Sequence, residues 1–207
     1  AWAVYDWANS VYPLVISTAI FPIYFKSITK GQSVDFLWLE SIENDAFIGY
    51  LSSFTFIILA IISPLLSGIA DHTGHKKLFM KLFCYLGSIS CILLYSFDMN
   101  NFDLGAIFYF FAIIGFWGSL VFYNSYLPDI ADIEQQDITS AKGYSLGYLG
   151  SIILLIFCLL LTEFPDFFHL DDKTHAVKVS FVLVGVWWLL FSQYSFYYLP
   201  GRKYYNT

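Results

Sequence analysis

The residues best suited to chemistry stand at the start of the chain. Tyr5-Asp6-Trp7-Ala8-Asn9-Ser10-Val11-Tyr12-Pro13 opens an otherwise apolar stretch. On a helix, Asp6, Asn9, Ser10 and Pro13 share one face by their i, i+3, i+4, i+7 spacing, and that face looks inward, toward a cavity or other helices. A carboxylate in such a setting is costly unless hydrated or paired, which points to a path for a solute or a coupling proton. The competing reading leaves Asp6 at an interface, favouring a helix N-terminus electrostatically. Ser119, Tyr123 and Tyr126 form a second polar stripe with the Asn124 amide beside it, able to hydrogen-bond a solute or another helix.

Three further clusters are candidates for roles in packing and ion pairing. Ser67-Gly68-Ile69-Ala70-Asp71-His72-Thr73-Gly74-His75-Lys76-Lys77 is a tight basic turn between two apolar stretches. Asp129, Asp132, Glu134 and Asp137 crowd the loop after the fourth stretch. An acid at a helix C-terminus opposes the helix dipole, so Asp129 is expected to find a cation, Lys76 or Lys77, unless the run is simply solvated. Gly143, Gly147 and Ser151, with Gly150 beside them, make a small-residue edge that lets helix backbones approach closely.

Other chemistry lacks its residues. GxSxG, HExxH and paired membrane-depth carboxylates are absent, and all four histidines are expected in loops. His72 and His75 lack a third and fourth donor, so neither a metal nor another cofactor is expected. Cys84, Cys91 and Cys158 sit in apolar runs without CxxC spacing and read as buried thiols. The net charge of −6, with no basic block, argues against nucleic acid as a partner.

These residues need elements that tolerate lipid. Hydrophobic residues make up 58% of the 207 positions and charged ones 13%, about half the charge of an ordinary soluble domain. Runs such as Phe54 to Ile62 and Ile152 to Phe157 are apolar all round, unlike amphipathic soluble helices. The expected fold is all-α: one polytopic bundle over 1–207, with about six transmembrane helices at roughly 4–26, 46–70, 78–97, 103–128, 142–163 and 177–199. The third span is short and needs Lys81 to snorkel. Lys76, Lys77, Lys81, Lys142, Arg202 and Lys203 face Lys26, Lys30, Lys173 and Lys178 across the bilayer, so both termini are expected in the cytoplasm. Ten acids, Asp35, Asp98 and Asp103 among them, would form a solvated outer face. Trp187-Trp188, Tyr197-Tyr198 and Tyr204-Tyr205 fit interface anchoring and core filling around the sixth span.

The turn from Ser67 to Lys77 resembles the signature loop of the major facilitator superfamily, G-x-x-x-D-[RK]-x-G-[RK]-[RK]-[RK]. Asp71, Gly74, Lys76 and Lys77 match it; Ser67 replaces the first glycine, and His72 and His75 replace permanently charged residues. The resemblance implies a gating loop whose acid meets a helix N-terminus in a C-terminal half, the alternative being an ordinary positive-inside turn. Tyr5-Asp6-Trp7-Ala8-Asn9-Ser10, the segment from Phe122 to Asp129 and the segment from Ser140 to Gly150 look like signatures of the branch related to the autophagy-linked vacuolar effluxer. That likeness implies about twelve spans, of which this chain would cover the first six, with its initial residues missing. It also implies alternating-access transport of small solutes such as amino acids, without catalysis. The expected partners are the lipid bilayer, a small-molecule solute and the C-terminal six-helix half. The expected location is a bacterial plasma (inner) membrane. A non-catalytic integral membrane subunit and an intramembrane enzyme are the alternatives.

Overall fold

A computed structural model describes residues 1–201, with Asp71 and Thr73 described by their backbone alone. Arg202, Lys203, Tyr204 and Tyr205 therefore lie outside the described residues, as does the side chain of Asp71. Among the described residues, six helices are long and apolar enough to cross a membrane. They are α1 (Trp2–Thr29), α2 (Asn44–Thr73), α3 (Lys76–Leu93), α4 (Phe102–Ser125), α5 (Ile133–Glu163) and α6 (Lys173–Tyr198).

The first helix is not uniform. Tyr12–Ile20 winds as a π-helix between α-helical Trp2–Asn9 and Phe21–Thr29. Pro13 lies in the first turn of this wide section and Pro22 just beyond its end, and each lacks the N–H that would bond four residues back. The Phe21 N–H reaches the Ile16 carbonyl instead, five residues back. The helix stops at Lys30 and Gly31, both in the left-handed region at φ 51° and 71°.

A hairpin absent from the sequence reading follows. Strand β1 (Val34–Phe36) pairs antiparallel with β2 (Leu39–Ile42), with Val34 opposite Ile42 and Phe36 opposite Leu39. Leu37 and Ser41 take positive φ there. Their N–H groups are met by carboxylates: Leu37 donates to Asp103 at 3.2 Å and Ser41 to Asp35 at 2.8 Å. The outer acids are thus not merely solvated. Asp35 and Asp103 hold this hairpin, Asp45 pairs with Lys26 and Glu163 with Lys173.

Asp98 has the most partners of these acids. Its Oδ1 accepts from the N–H groups of Asn100 and Asn101 at 3.0 and 3.1 Å, and its Oδ2 meets Lys178 at 3.4 Å. It thereby ties the α3–α4 connection to α6. Partial burial works to raise its pKa, but the Asn101 N–H, the Lys178 ammonium and the Asn100 N–H prevail and hold it below the usual carboxylate range. The resulting stability is fully present above the unfolded-state value of about 3.9 and is lost as pH falls through the lower folded value. Asp98→Asn is therefore expected to lower thermal stability at neutral pH by on the order of 1 kcal/mol or less, since the site is partly exposed. The difference from wild type should vanish in acid; a deficit that persists once pH is well below the lowered folded value would mean the carboxylate charge is not what matters.

Inside the bundle, α3 and α4 cross where Gly87 meets Gly115: a Cβ on Gly115 would strike the Gly87 backbone and lie 2.7 Å from the Phe83 carbonyl oxygen. Trp188 of α6, fully buried, lies against the same Gly87, so of the two sequence roles it takes core filling. Tyr197 and Tyr198 are exposed at the end of α6. Lys81 of the short third span lays its ammonium 5.5 Å from the centre of the Phe196 ring, a cation–π placement. The three cysteines are buried and free.

Two assignments shift. His72 lies in the last turn of α2 and His175 in the first turn of α6, not in loops. Their polar flanks hid them, because helices here run past the apolar stretches. Likewise α5 begins at Ile133, so Asp132 is its N-cap residue and Glu134 stands in its first turn, where the helix dipole favours acids.

Candidate functional site

A cleft of about 410 Å³ opens between α1, α4 and α5. Asp6, Ser10 and Thr18 of α1, Trp117, Tyr123 and Asn124 of α4, and Tyr144, Tyr148 and Ser151 of α5 line it, with apolar Pro13, Leu14, Phe116 and Leu120 between them. The polar groups therefore sit among rings, as in sites that orient a small solute with a few polar contacts.

The position of α1 in this wall is fixed from three sides. The Trp2 indole stacks on Tyr123 at 4.2 Å and 9°, and its Nε1 donates to the Tyr123 carbonyl at 2.9 Å. Trp187 Nε1 donates to the Trp7 carbonyl at 3.1 Å, and Ser195 Oγ to the Ala1 carbonyl at 2.8 Å. The third side is the small-residue edge of α5. A Cβ on Gly143 would lie 3.0 Å from the Tyr123 hydroxyl and 3.1 Å from Asp6 Oδ2. One on Gly147 would lie 2.5 Å from Ser10 Oγ, and one on Gly150 would lie 2.9 Å from the Trp7 ring. The glycines thus bring the α5 backbone against the polar start of α1, and Ser151 Oγ folds back to the Gly147 carbonyl at 2.7 Å.

The buried ionisable pair of the cleft is Asp6 with Tyr123. Asp6 is 4% exposed, Tyr123 is 2% exposed, and the carboxylate faces the Tyr123 and Ser10 hydroxyls. The Tyr123 hydroxyl has no partner of good geometry among the described residues. Asn124 is exposed in the cleft wall. Asn9 departs from the expected face: it is fully buried, turned into the bundle, and does not line the cleft. Ser119 is likewise buried, donating to the Phe116 carbonyl at 2.9 Å, and Tyr126 reaches the Pro200 carbonyl at 3.1 Å. Tyr144, Tyr148, Thr18 and Trp117 were missed as cleft residues. The tyrosines adjoin the Gly143–Gly147 edge, which was the available signal.

At one end of the bundle Gly74, at φ 69°, closes α2 and turns the chain into α3. Lys76 then reaches the Ser125 carbonyl at 3.2 Å and Asp129 Oδ2 at 3.3 Å, with both side chains less than one-fifth exposed. Lys77 takes the Leu199 carbonyl at 2.7 Å. Both lysines meet carbonyl oxygens at or just past helix C-termini, where the dipole favours cations. Lys76, not Lys77, is thus the Asp129 partner. Asp129→Asn and Lys76→Gln should show non-additive losses in melting temperature, coupled by about 0.5–3 kcal/mol, whereas Asp129→Asn and Lys77→Gln should add. Coupling of the reverse pattern would assign the acid to Lys77.

A family model described as "Vacuole effluxer Atg22 like" matches residues 1–207. The uncharacterized MFS-type transporter YxiO of Bacillus subtilis is 33% identical over 93% of this chain and 44% of its own length. An uncharacterized protein of Aquifex aeolicus is 31% identical over 87% of the chain and 47% of its own length. Autophagy-related protein 22-1 of Aspergillus fumigatus is 22% identical over 83% of the chain and 39% of its own length. The chain therefore spans less than half the length of these curated relatives. No solved structure matches it.

Proposed function

We propose, from the premise that this chain belongs to the Atg22-like vacuole effluxer family, that it carries the N-terminal six helices of a secondary transporter and contributes one wall of a solute path. The observation that carries the reading is the buried Asp6–Tyr123 pair lining a cleft walled by membrane-length helices. Buried ionisable residues at such positions bind or couple substrates. The relatives' greater length and the MFS-type name of the Bacillus subtilis protein support a second helical half.

Helix α2 supports it too: only 17% of its most apolar window is buried within the bundle, against 50% for α4. Its exposed Phe54, Ile57, Ile61 and Leu65, together with Tyr148, Ile152 and Ile156 of α5, offer apolar surface for lipid and for that half. Rocking of the halves would expose the cleft to each side in turn. Lys76, Lys77, Gly74, Asp71 and Asp129 would form the cytoplasmic gate, with both termini on that side, in the plasma membrane of a bacterium. Amino acids are the solute class proposed.

The test is counterflow of labelled amino acids in liposomes. The complete protein should show saturable flux, and residues 1–207 alone should show none. Flux through the isolated six helices would overturn the half-transporter reading. Proper insertion without flux of any amino acid would favour a non-transporting membrane subunit.

A further inference from the structure

The face of α1 turned away from the cleft carries Tyr5, Asn9 and Tyr12 at i, i+4, i+7. None of them lines the cleft. All three are 0–1% exposed, and so is Trp188 of α6, whose ring centre lies 6.0 Å from that of Tyr12. The Tyr5 hydroxyl, both side-chain polar atoms of Asn9, the Tyr12 hydroxyl and Trp188 Nε1 all lack a hydrogen-bond partner among the described residues. The Tyr5 hydroxyl faces Ser119, Trp188 and Cys84 without meeting bonding geometry with any of them. Ser119 and Cys84 spend their own hydrogens elsewhere: Ser119 donates to the Phe116 carbonyl, and Cys84 donates to Ser192 at 3.3 Å.

Five unsatisfied polar atoms in one buried region would each carry a full desolvation cost. Their chemistry selects the occupant. Trp188 Nε1 and the Asn9 amide nitrogen only donate, Asn9 Oδ1 only accepts, and the phenols do both. A cation would meet two obligate donors, and an anion would meet the Asn9 carbonyl with no counter-charge beside it. Water both donates and accepts and binds where two to four polar partners converge. We infer that Tyr5, Asn9, Tyr12 and Trp188 hold a small cluster of buried water inside the six-helix bundle, on the side of α1 opposite the cleft. The cluster would satisfy the polar groups on the face of α1 that the cleft does not reach. The inference does not depend on transport activity.

Radiolytic hydroxyl-radical footprinting of the complete protein in nanodiscs, in H₂¹⁸O, tests it. Radicals form from bound water beside the side chain they oxidise. Each rate is normalised to that of the same residue in the detergent-unfolded protein. Tyr5, Tyr12 and Trp188 should label severalfold faster than Tyr24 and Tyr126, which are equally hidden but donate to the Phe97 and Pro200 carbonyls. Asn9→Leu should bring Tyr12 and Trp188 down to the control rate. If that variant does not fold, Tyr12→Phe should lower labelling of Trp188. Labelling of Tyr5, Tyr12 and Trp188 no faster than the controls, or unchanged by whichever variant folds, would overturn the water site.

Discussion

Asp6→Asn in the complete protein is expected to abolish most of the proposed solute flux, by a factor of about ten to a hundred, while leaving the melting temperature close to wild type. The magnitude follows from what a solute or coupling group would lose: a charge-assisted hydrogen bond to the Asp6 carboxylate would contribute about 1.5–3 kcal/mol, and each step of about 1.36 kcal/mol is tenfold in rate. Asparagine keeps the shape and one carbonyl oxygen beside Tyr123 and Ser10 but can neither carry charge nor exchange a proton. Asp6 is the buried carboxylate of the cleft, with the Tyr123 hydroxyl beside it and no hydrogen-bond partner assigned to that hydroxyl. Counterflow at saturating and limiting solute separates the two uses of the charge. A binding role raises the half-saturation concentration, and a coupling role lowers the maximal rate and its pH dependence. Full flux in Asp6→Asn would reduce the residue to an N-terminal dipole partner of α1.

Gly115→Val is expected to have the largest effect on folding. The first added carbon meets the Gly87 backbone and the Phe83 carbonyl, not a flexible side chain that could swing aside. Helices α3 and α4 must then separate, and Trp188, seated on Gly87, loses its bed. Overpacking of this kind costs about 1–3 kcal/mol and more where backbone cannot yield, enough to remove the monodisperse peak in detergent gel filtration. Gly49→Val is the matched control, because nothing lies within 4 Å of its Cβ position. Equal monodispersity of the two variants would mean the crossing is looser than drawn.

The helical class and the six long apolar elements were legible because lipid-facing sequence is apolar on every side and needs no partner to be recognised. Helix ends were less so. The start of α5 carries Glu134 and Asp137 and no apolar run, yet its acids suit a helix N-terminus, a signal that hydropathy ignores. The hairpin was invisible for another reason: its strands are three and four residues long, too short for alternation to register, and its positive-φ positions are held by Asp35 and Asp103 rather than announced by glycine.

In the cleft, periodicity placed Asp6 and Ser10 on one wall with Pro13. It failed for Asn9 because the i+3 position lies at the edge of a helical face, and whether an edge residue turns out or in depends on neighbours in α4 and α6 that are distant in sequence. Tyr144 and Tyr148 were overlooked for a similar reason. The adjoining glycines drew attention to backbone approach, while the rings that this approach carries to the cleft belong to a different face of α5.

The widened turns between Tyr12 and Ile20 give α1 a spare residue that an ordinary helix does not have. If one of those turns tightened, that residue would be released, and everything ahead of it would swivel by about 100° about the helix axis, the angle one residue occupies in an α-helix. Asp6 and Ser10 would leave the solute wall in the same movement that carries other residues of α1 toward it. Such a change of register would alter the groups that α1 presents without unfolding the helix, drawing on the slack wound into its middle.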